Sequence, residues 1–394
     1  MNKIKHMIIK TIPHMAVVCI ALSVMETAQA TPYRPTNDLA VVETLPAGSQ
    51  TFQTRVVIKN LSKQPFAAVQ PQISALLTQS YTQGDPRALG QAESLLEPYT
   101  HNPSYINDPA VLSLRANILQ ANHQFDESKK LLQQILIKIP NQPDSLLMLS
   151  SINLVQGNFA AARQGCDGIR DMGLMFLRLA CMAQVDNMTG KIIASRATLE
   201  QLAQMNSGLT PEQSRWLNLI LADIALRLDD SALANTVFKT LDTTTAPSLT
   251  ARADWLLAHQ QWAQVQQLLA THTDNDALLL RLVISEMQQK SPRAKADFQL
   301  LSERISVWQA RGETAHQREE AMFAMLLNPS DKALDLARSN WQKQRETADV
   351  VIYTNAAIRA QSKPDLKIIQ AWIKQTGFEY PRLTQQLAQS LRVG

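Results

Sequence analysis

With 394 residues, a net charge of +4 and only 12 glycines, the chain holds two or three domains or one long solenoid. So few glycines argue against turn-rich sheets and against glycine loops that cradle phosphates. Hydrophobic residues make up 45%, enough for a sizeable core, and the helix formers Ala, Leu and Gln are in excess, so an all-α protein is expected.

Residues 1–30 read as an export signal. Lys3, Lys5 and Lys10 form a basic start, residues 15–24 are apolar, and Ala28-Gln29-Ala30 offers the small residues a signal peptidase reads. The apolar run is too short to anchor the chain across a bilayer, although an uncleaved anchor is the rival reading. Cleavage before Thr31 removes three lysines and one glutamate, which leaves a net charge of +2. A periplasmic protein with nearly balanced charge is expected. It has no basic face for nucleic acid and no membrane span after signal cleavage.

Residues 31–66 look like an extended lead-in, within which 49–61 fits either a helix or a strand. From Ala67 a helical period appears. Ile73, Leu76 and Leu77 share a face, Gly84-Asp85-Pro86 breaks it, and Leu89, Ala92, Leu95 and Leu96 resume it. Asp108 then caps a helix that Pro109 opens.

Two windows of 34 residues follow end to end, one starting at Pro109 and the other at Pro143. Position 8 is Ala116 then Ser150, position 17 Phe125 then Phe159, position 20 Ser128 then Ala162, and position 27 Ile135 then Ile169. Small residues at 8 and 20 let two helices cross closely, while the aromatic at 17 plugs the turn. A third window starts at Phe176, with Gly190 at the turn, Ser195 at 20 and Leu202 at 27. Asn206-Ser207-Gly208 is the expected internal break. A fourth window starts at Arg215 (Ala222, Ala234, Phe238) and a fifth at Ala246 (Ala253, Trp262). Beyond residue 270 the register drifts through further amphipathic helices to a polar-tailed cap at 381–392.

This spacing resembles the tetratricopeptide repeat. The whole chain is similar to exported bacterial proteins of that superfamily with no assigned activity, a likeness that includes 316–323, Asn340-Trp341 and Gln344-Arg345. The resemblance implies a right-handed superhelix of stacked antiparallel helix pairs, with repeats over 67–207 that degenerate through 208–394. It implies a non-catalytic scaffold without a cofactor, whose first helices line a concave groove for a protein or peptide. The groove positions are Ser113, Asn117 and Gln120, then Asp144, Leu147, Ser151 and Leu154, then Trp216, Asp223 and Arg227, then Thr250 and Asp254. The partner-binding set is taken as Ser113, Asn117, Gln120, Ser151, Trp216, Asp223, Arg227 and Asp254. A clamp for a C-terminal carboxylate needs Lys at position 5 and Asn at position 9. Asn117 fits it, but Ser113 and Leu147 depart from it.

In the same architecture Cys166 and Cys181 fall on neighbouring helices, so in an oxidising compartment a disulfide is expected, with two buried thiols as the alternative. Gly165 and Gly168 within that helix call for a close approach of another one. Met172, Met175, Met182 and Met188 lie nearby, which gives a second functional reading as a small-ligand or Cu(I)-binding protein. HExxH, GxSxG, GxxxxGK[ST] and GxGxxG are all missing, and no catalytic residue is assigned. His316, Arg318, Glu319 and Glu320 are expected to face Arg338 and Arg345 on the next helix, either as a polar patch or as inter-helix ion pairs. Trp341 is expected in the core.

Overall fold

The computed structural model describes residues 64–204, 208–312, 316–327 and 330–392. The export signal, the reading of 49–61 and most of the lead-in therefore lie outside the described residues.

Within them the chain is all-α, with nineteen helices and no strand. They follow one another as α1 (Phe66–Gln83), α2 (Pro86–Thr100), α3 (Pro109–Ala121), α4 (Phe125–Lys138), α5 (Pro143–Val155) and α6 (Phe159–Asp167). Next come α7 (Met175–Asn187), α8 (Ile192–Gln204), α9 (Pro211–Leu228), α10 (Ser231–Thr240), α11 (Ala246–Ala258), α12 (Trp262–Leu269) and α13 (Asp276–Gln289). The last are α14 (Ala294–Ala310), α15 (Gln317–Leu326), α16 (Ser330–Lys343), α17 (Thr347–Arg359), α18 (Lys363–Thr376) and α19 (Pro381–Arg392).

The starts of these helices are written in local chemistry. Asp85 and Asp108 accept the N–H groups of Arg87 and Ala110 at 3.0 and 2.8 Å, each ahead of a proline in the first turn. Thr210 and Gln213 form a reciprocal capping box at the start of α9. Each such cap contributes about 1 kcal/mol.

Within a pair, the small residues at positions 8 and 20 do more than make room. Ser128 donates to the carbonyl of Ala116 at 2.8 Å, Ser150 to that of Ala162 at 2.7 Å, and Ser195 to that of Ala183 at 2.7 Å. Whichever member is serine, its hydroxyl bonds the opposite backbone and leaves no buried donor orphaned. Gly165 marks the tightest approach. A Cβ there would lie 3.0 Å from both the Leu146 carbonyl oxygen and Ser150 Cβ.

Successive pairs stack so that the first helices touch in a row, α5 on α7, α7 on α9, and onward through α11, α13, α15, α17 and α19. One apolar cluster takes in residues from Tyr81 to Leu387, with members on both sides of the expected break at Asn206-Ser207-Gly208. A smaller cluster under α1–α3 centres on Val69, Ile73 and Leu95. Trp341 is buried as expected.

The sequence register drifts after residue 270, but the turn geometry does not. The residue at position 15 has positive φ in all five windows, at His123, Gly157, Gly190, Asp229 and Gln260. It recurs after α13 at Lys290 and after α17 at Gln361.

These turns are also where the chain folds back on itself. His123 Nδ1 meets Gln344 Nε2 at 3.2 Å, and the Arg345 N–H donates to the Val155 carbonyl at 2.8 Å. The Arg345 side chain lies over Gly157, and Gly190 packs against Gly377. Arg382 reaches the Ala258 carbonyl at 3.4 Å, and Asn275 donates to the Gln83 carbonyl at 3.2 Å. The C-terminal half is thus fastened along the turn edge of the N-terminal half. Gly190 has a φ of +76°, and a Cβ on it would stand 3.1 Å from the Gly377 carbonyl oxygen. Gly190→Ala is therefore expected to cost about 1–2 kcal/mol in a urea unfolding experiment. Gly208→Ala, with open space around it, should cost less.

Candidate functional site

The eight candidate partner-binding residues all lie on first helices, and none has a fully exposed side chain. Ser113 and Asn117 are half-buried on α3. Gln120, one turn further on, is buried, and its side-chain amide has no hydrogen-bond partner among the described residues. Ser151 and Trp216 are buried, with Trp216 Nε1 pointing at Gln184 Oε1 at 3.3 Å. Asp254 holds Arg281 of α13 in a two-pronged contact of 2.6 and 2.9 Å.

Asp223 and Arg227 are brought together, one turn apart on α9, and form the most organised part of the face. Arg227 is only 1% exposed. Its Nε donates to Asp223 Oδ2 at 3.0 Å, and one terminal nitrogen donates to both the backbone carbonyl (2.9 Å) and the side-chain oxygen of Asn187 at the end of α7. Asn187 Nδ2 in turn donates to Asp223 Oδ2 at 3.0 Å, closing a triangle of side chains.

The remaining terminal nitrogen of Arg227 leaves this triangle and donates to the backbone carbonyl of Glu379 at 3.0 Å. The guanidinium carbon lies 4.9 Å from the centre of the Phe378 ring, a cation–π contact. The Glu379 carboxylate accepts the N–H of Ile192, the first residue of α8, at 3.1 Å, where the helix dipole favours an anion. Tyr380 is buried beside them. Burial first, and then the Asp223 charge, push its hydroxyl pKa up. Residues 377–380, the turn between α18 and α19, are therefore held by the Arg227 side chain of α9 and the first backbone N–H of α8.

Asp223 and Arg227 were picked out in the sequence as partner-binding candidates. Asn187, Phe378 and Glu379 were not, because nothing in the sequence marks the end of the chain as the occupant of the middle.

A second buried charge cluster sits on α15 and α17. Arg318 donates from Nε to Asp349 Oδ1 at 2.7 Å, and from a terminal nitrogen to Asp349 Oδ2 at 2.9 Å, Glu346 at 2.5 Å and Gln344 at 3.2 Å. Burial alone would lower its pKa, but Asp349, Glu346 and Glu319 outweigh that and hold it well above the ordinary range. Arg338 and Arg345 do not take the places expected of them. Arg338 grips Asp365 at 2.8 and 2.7 Å, and Arg345 stacks on Trp341 at 5.5 Å. His316 stacks on Trp308 at 3.9 Å, and Glu320 accepts from Gln309 at 2.7 Å. Arg338 turns to Asp365 of α18, and Arg345 lies over Gly157 at the end of α5.

Glu286 on α13 shares a buried site with Asp297 on α14, and Arg293 approaches Asp297 at 3.2 Å from the other side. Burial, then repulsion from Asp297, push the Glu286 carboxyl up to about 7. A carboxyl raised by folding stabilises the fold fully below its ordinary value near 4.5, and that stabilisation is lost as pH rises through about 7. Thermal midpoints should therefore fall between pH 5 and pH 8. Glu286→Gln should flatten that fall, recovering on the order of 2 kcal/mol at pH 8.

Cys166 and Cys181 are bridged, with Cα atoms 5.6 Å apart. Ser150 Oγ lies 3.1 and 3.3 Å from the two sulfurs. As placed, both sulfurs are bonded to each other and neither is a thiolate ligand. Met172 is exposed while Met188 is buried against Thr347 of α17, so these two methionines do not share a site. Among the described residues no group of three or more His, Cys, Asp or Glu is placed to hold a metal ion, and no helix is long and apolar enough to cross a membrane.

No protein-family model matches the chain, and no curated protein matches it in sequence.

Proposed function

We propose that this chain is a non-catalytic, exported scaffold that binds a protein or extended peptide along its first-helix face. In this reading the helices form a right-handed superhelix of stacked antiparallel pairs of the tetratricopeptide type, working in the periplasm after residues 1–30 are removed. The observation that carries it is the hold of Arg227, itself positioned by Asp223 and Asn187, and of the α8 N-terminus on residues 377–380. A non-helical segment is gripped there through its main-chain carbonyl, one aromatic ring and one carboxylate. Those are the contacts by which a helical face recognises a polypeptide.

The test is a photo-crosslinking residue placed at Ser113 or Asn117, both half-exposed on the same face, with exposed Lys130 as the outer control. Adducts would be identified by mass spectrometry from intact cells. One dominant partner from the two face positions and none from Lys130 is expected. Equal capture at all three positions, or none at any, would remove the scaffold reading.

A further inference from the structure

We infer that residues 377–380 occupy, within the chain, a recognition site whose external partner is a polypeptide turn carrying glycine, an aromatic side chain and a carboxylate in succession. This rests on the scaffold reading above and adds the chemistry of the partner and the control of access to it.

The recognising groups are positioned independently of what they hold. Three of the contacts of Arg227 are to Asp223 and Asn187, on α9 and α7, so its orientation is set before residues 377–380 arrive. The outward-facing nitrogen and the face of the guanidinium are what the segment uses. An arginine pre-held in this way loses little freedom on binding, which favours recognition.

The α8 N-terminus supplies the second element. Its first N–H points at the Glu379 carboxylate, an arrangement that selects an anion. The third element is shape. Gly190 and Gly377 approach backbone to backbone, and a Cβ on Gly377 would stand 3.4 Å from Gly190 Cα. With a φ of +72° at Gly377, the segment needs glycine ahead of its aromatic residue.

Access is governed by attachment. The segment belongs to the hairpin of α18 and α19, which packs on α17 and reaches the middle of the chain through α9. A tethered segment acts at an effective concentration in the millimolar range, so a free partner must compete with it. The C-terminal hairpin thereby acts as an internal competitor, admitting a partner that binds more tightly than the chain's own turn.

The probe is a fluorescent peptide of residues 374–383, Lys-Gln-Thr-Gly-Phe-Glu-Tyr-Pro-Arg-Leu, titrated into the full chain. Phe378→Ala with Glu379→Ala in the chain weakens the internal competitor, and the peptide is expected to bind this variant at least about ten-fold more tightly than the unchanged chain. Adding Arg227→Ala should abolish the gain. A double variant with native circular dichroism that binds no better than the unchanged chain overturns the inference. So does a gain that survives loss of Arg227. If the double variant does not fold, the same comparison on Glu379→Gln, which removes only the negative charge at the start of α8, decides the matter. Absence of peptide binding, together with one partner captured from Ser113 and Asn117, overturns this inference and leaves the scaffold reading intact. Peptide binding without any capture does the reverse.

Discussion

Arg318→Met is expected to destabilise the folded chain by about 3–5 kcal/mol, read as a lowered urea midpoint at unchanged slope. Methionine roughly preserves the volume but removes the positive charge and the N–H donors that Asp349 and Glu346 accept from. Asp349 is 2% exposed and would be left holding an uncompensated charge with only Asn340 (2.7 Å) and the Glu346 N–H (2.8 Å) as donors. The penalty is that of an orphaned buried anion, which exceeds the value of an intact pair. Arg318→Lys should recover only part of it, because a single ammonium cannot reproduce the two-pronged contact with Asp349. A loss below about 1 kcal/mol for Arg318→Met would mean that these carboxylates are solvated or protonated, and the cluster would have to be redrawn.

Removal of the Cys166–Cys181 bridge, by reductant or by Cys181→Ser, is expected to cost about 3 kcal/mol, the loop-closure value for a separation of 15 residues. The effect should be large for its place in the chain because α6 is short, at 9 residues, carries Gly165 inside it and ends at Gly168. Without the bridge, α6 is held to α7 by apolar packing and by two ion pairs, the half-buried Arg163 with Asp186 and the more exposed, weaker Arg178 with Asp167 at 3.0 Å. The Ser150 hydroxyl still donates to the Ala162 carbonyl, so the small-residue crossing within the pair should persist. Hydrogen exchange would then quicken in 159–187 before it does elsewhere. Identical midpoints with and without reductant, with thiol loss verified by mass, would show that the bridge adds nothing to the fold.

Much of the helical layout was legible because local chemistry sets it. Pro109, Pro143 and Pro381 open the helices they were read as opening, and Phe125 and Phe159 begin second helices at position 17. The drift past residue 270 was a drift of side chains, not of backbone. At position 15 the left-handed residue is glycine at Gly157 and Gly190 and can be read there, but it is Lys290 and Gln361 later, where no sequence signal marks it. The ion pairs of Arg338 and Arg345 were misplaced for a related reason. Charge alone does not say which neighbour a long side chain turns to, and Asp365 and Trp341 won by packing. Least legible was the occupant of the candidate site. Arg227 and Glu379 are 152 residues apart and meet through one main-chain hydrogen bond, a contact without periodicity or motif.

An open array of repeats loses its ends first, since each unit leans only on its neighbours. Here the turns at His123, Gly157 and Gly190 each carry a residue from beyond 340, so the early repeats cannot fray without releasing the late ones. Unfolding should accordingly gather into one broad cooperative event, and folding should be slowed by closures that span most of the chain. During synthesis the first repeats emerge with their turn edge bare, and they stay that way until the last helices leave the ribosome to cover it.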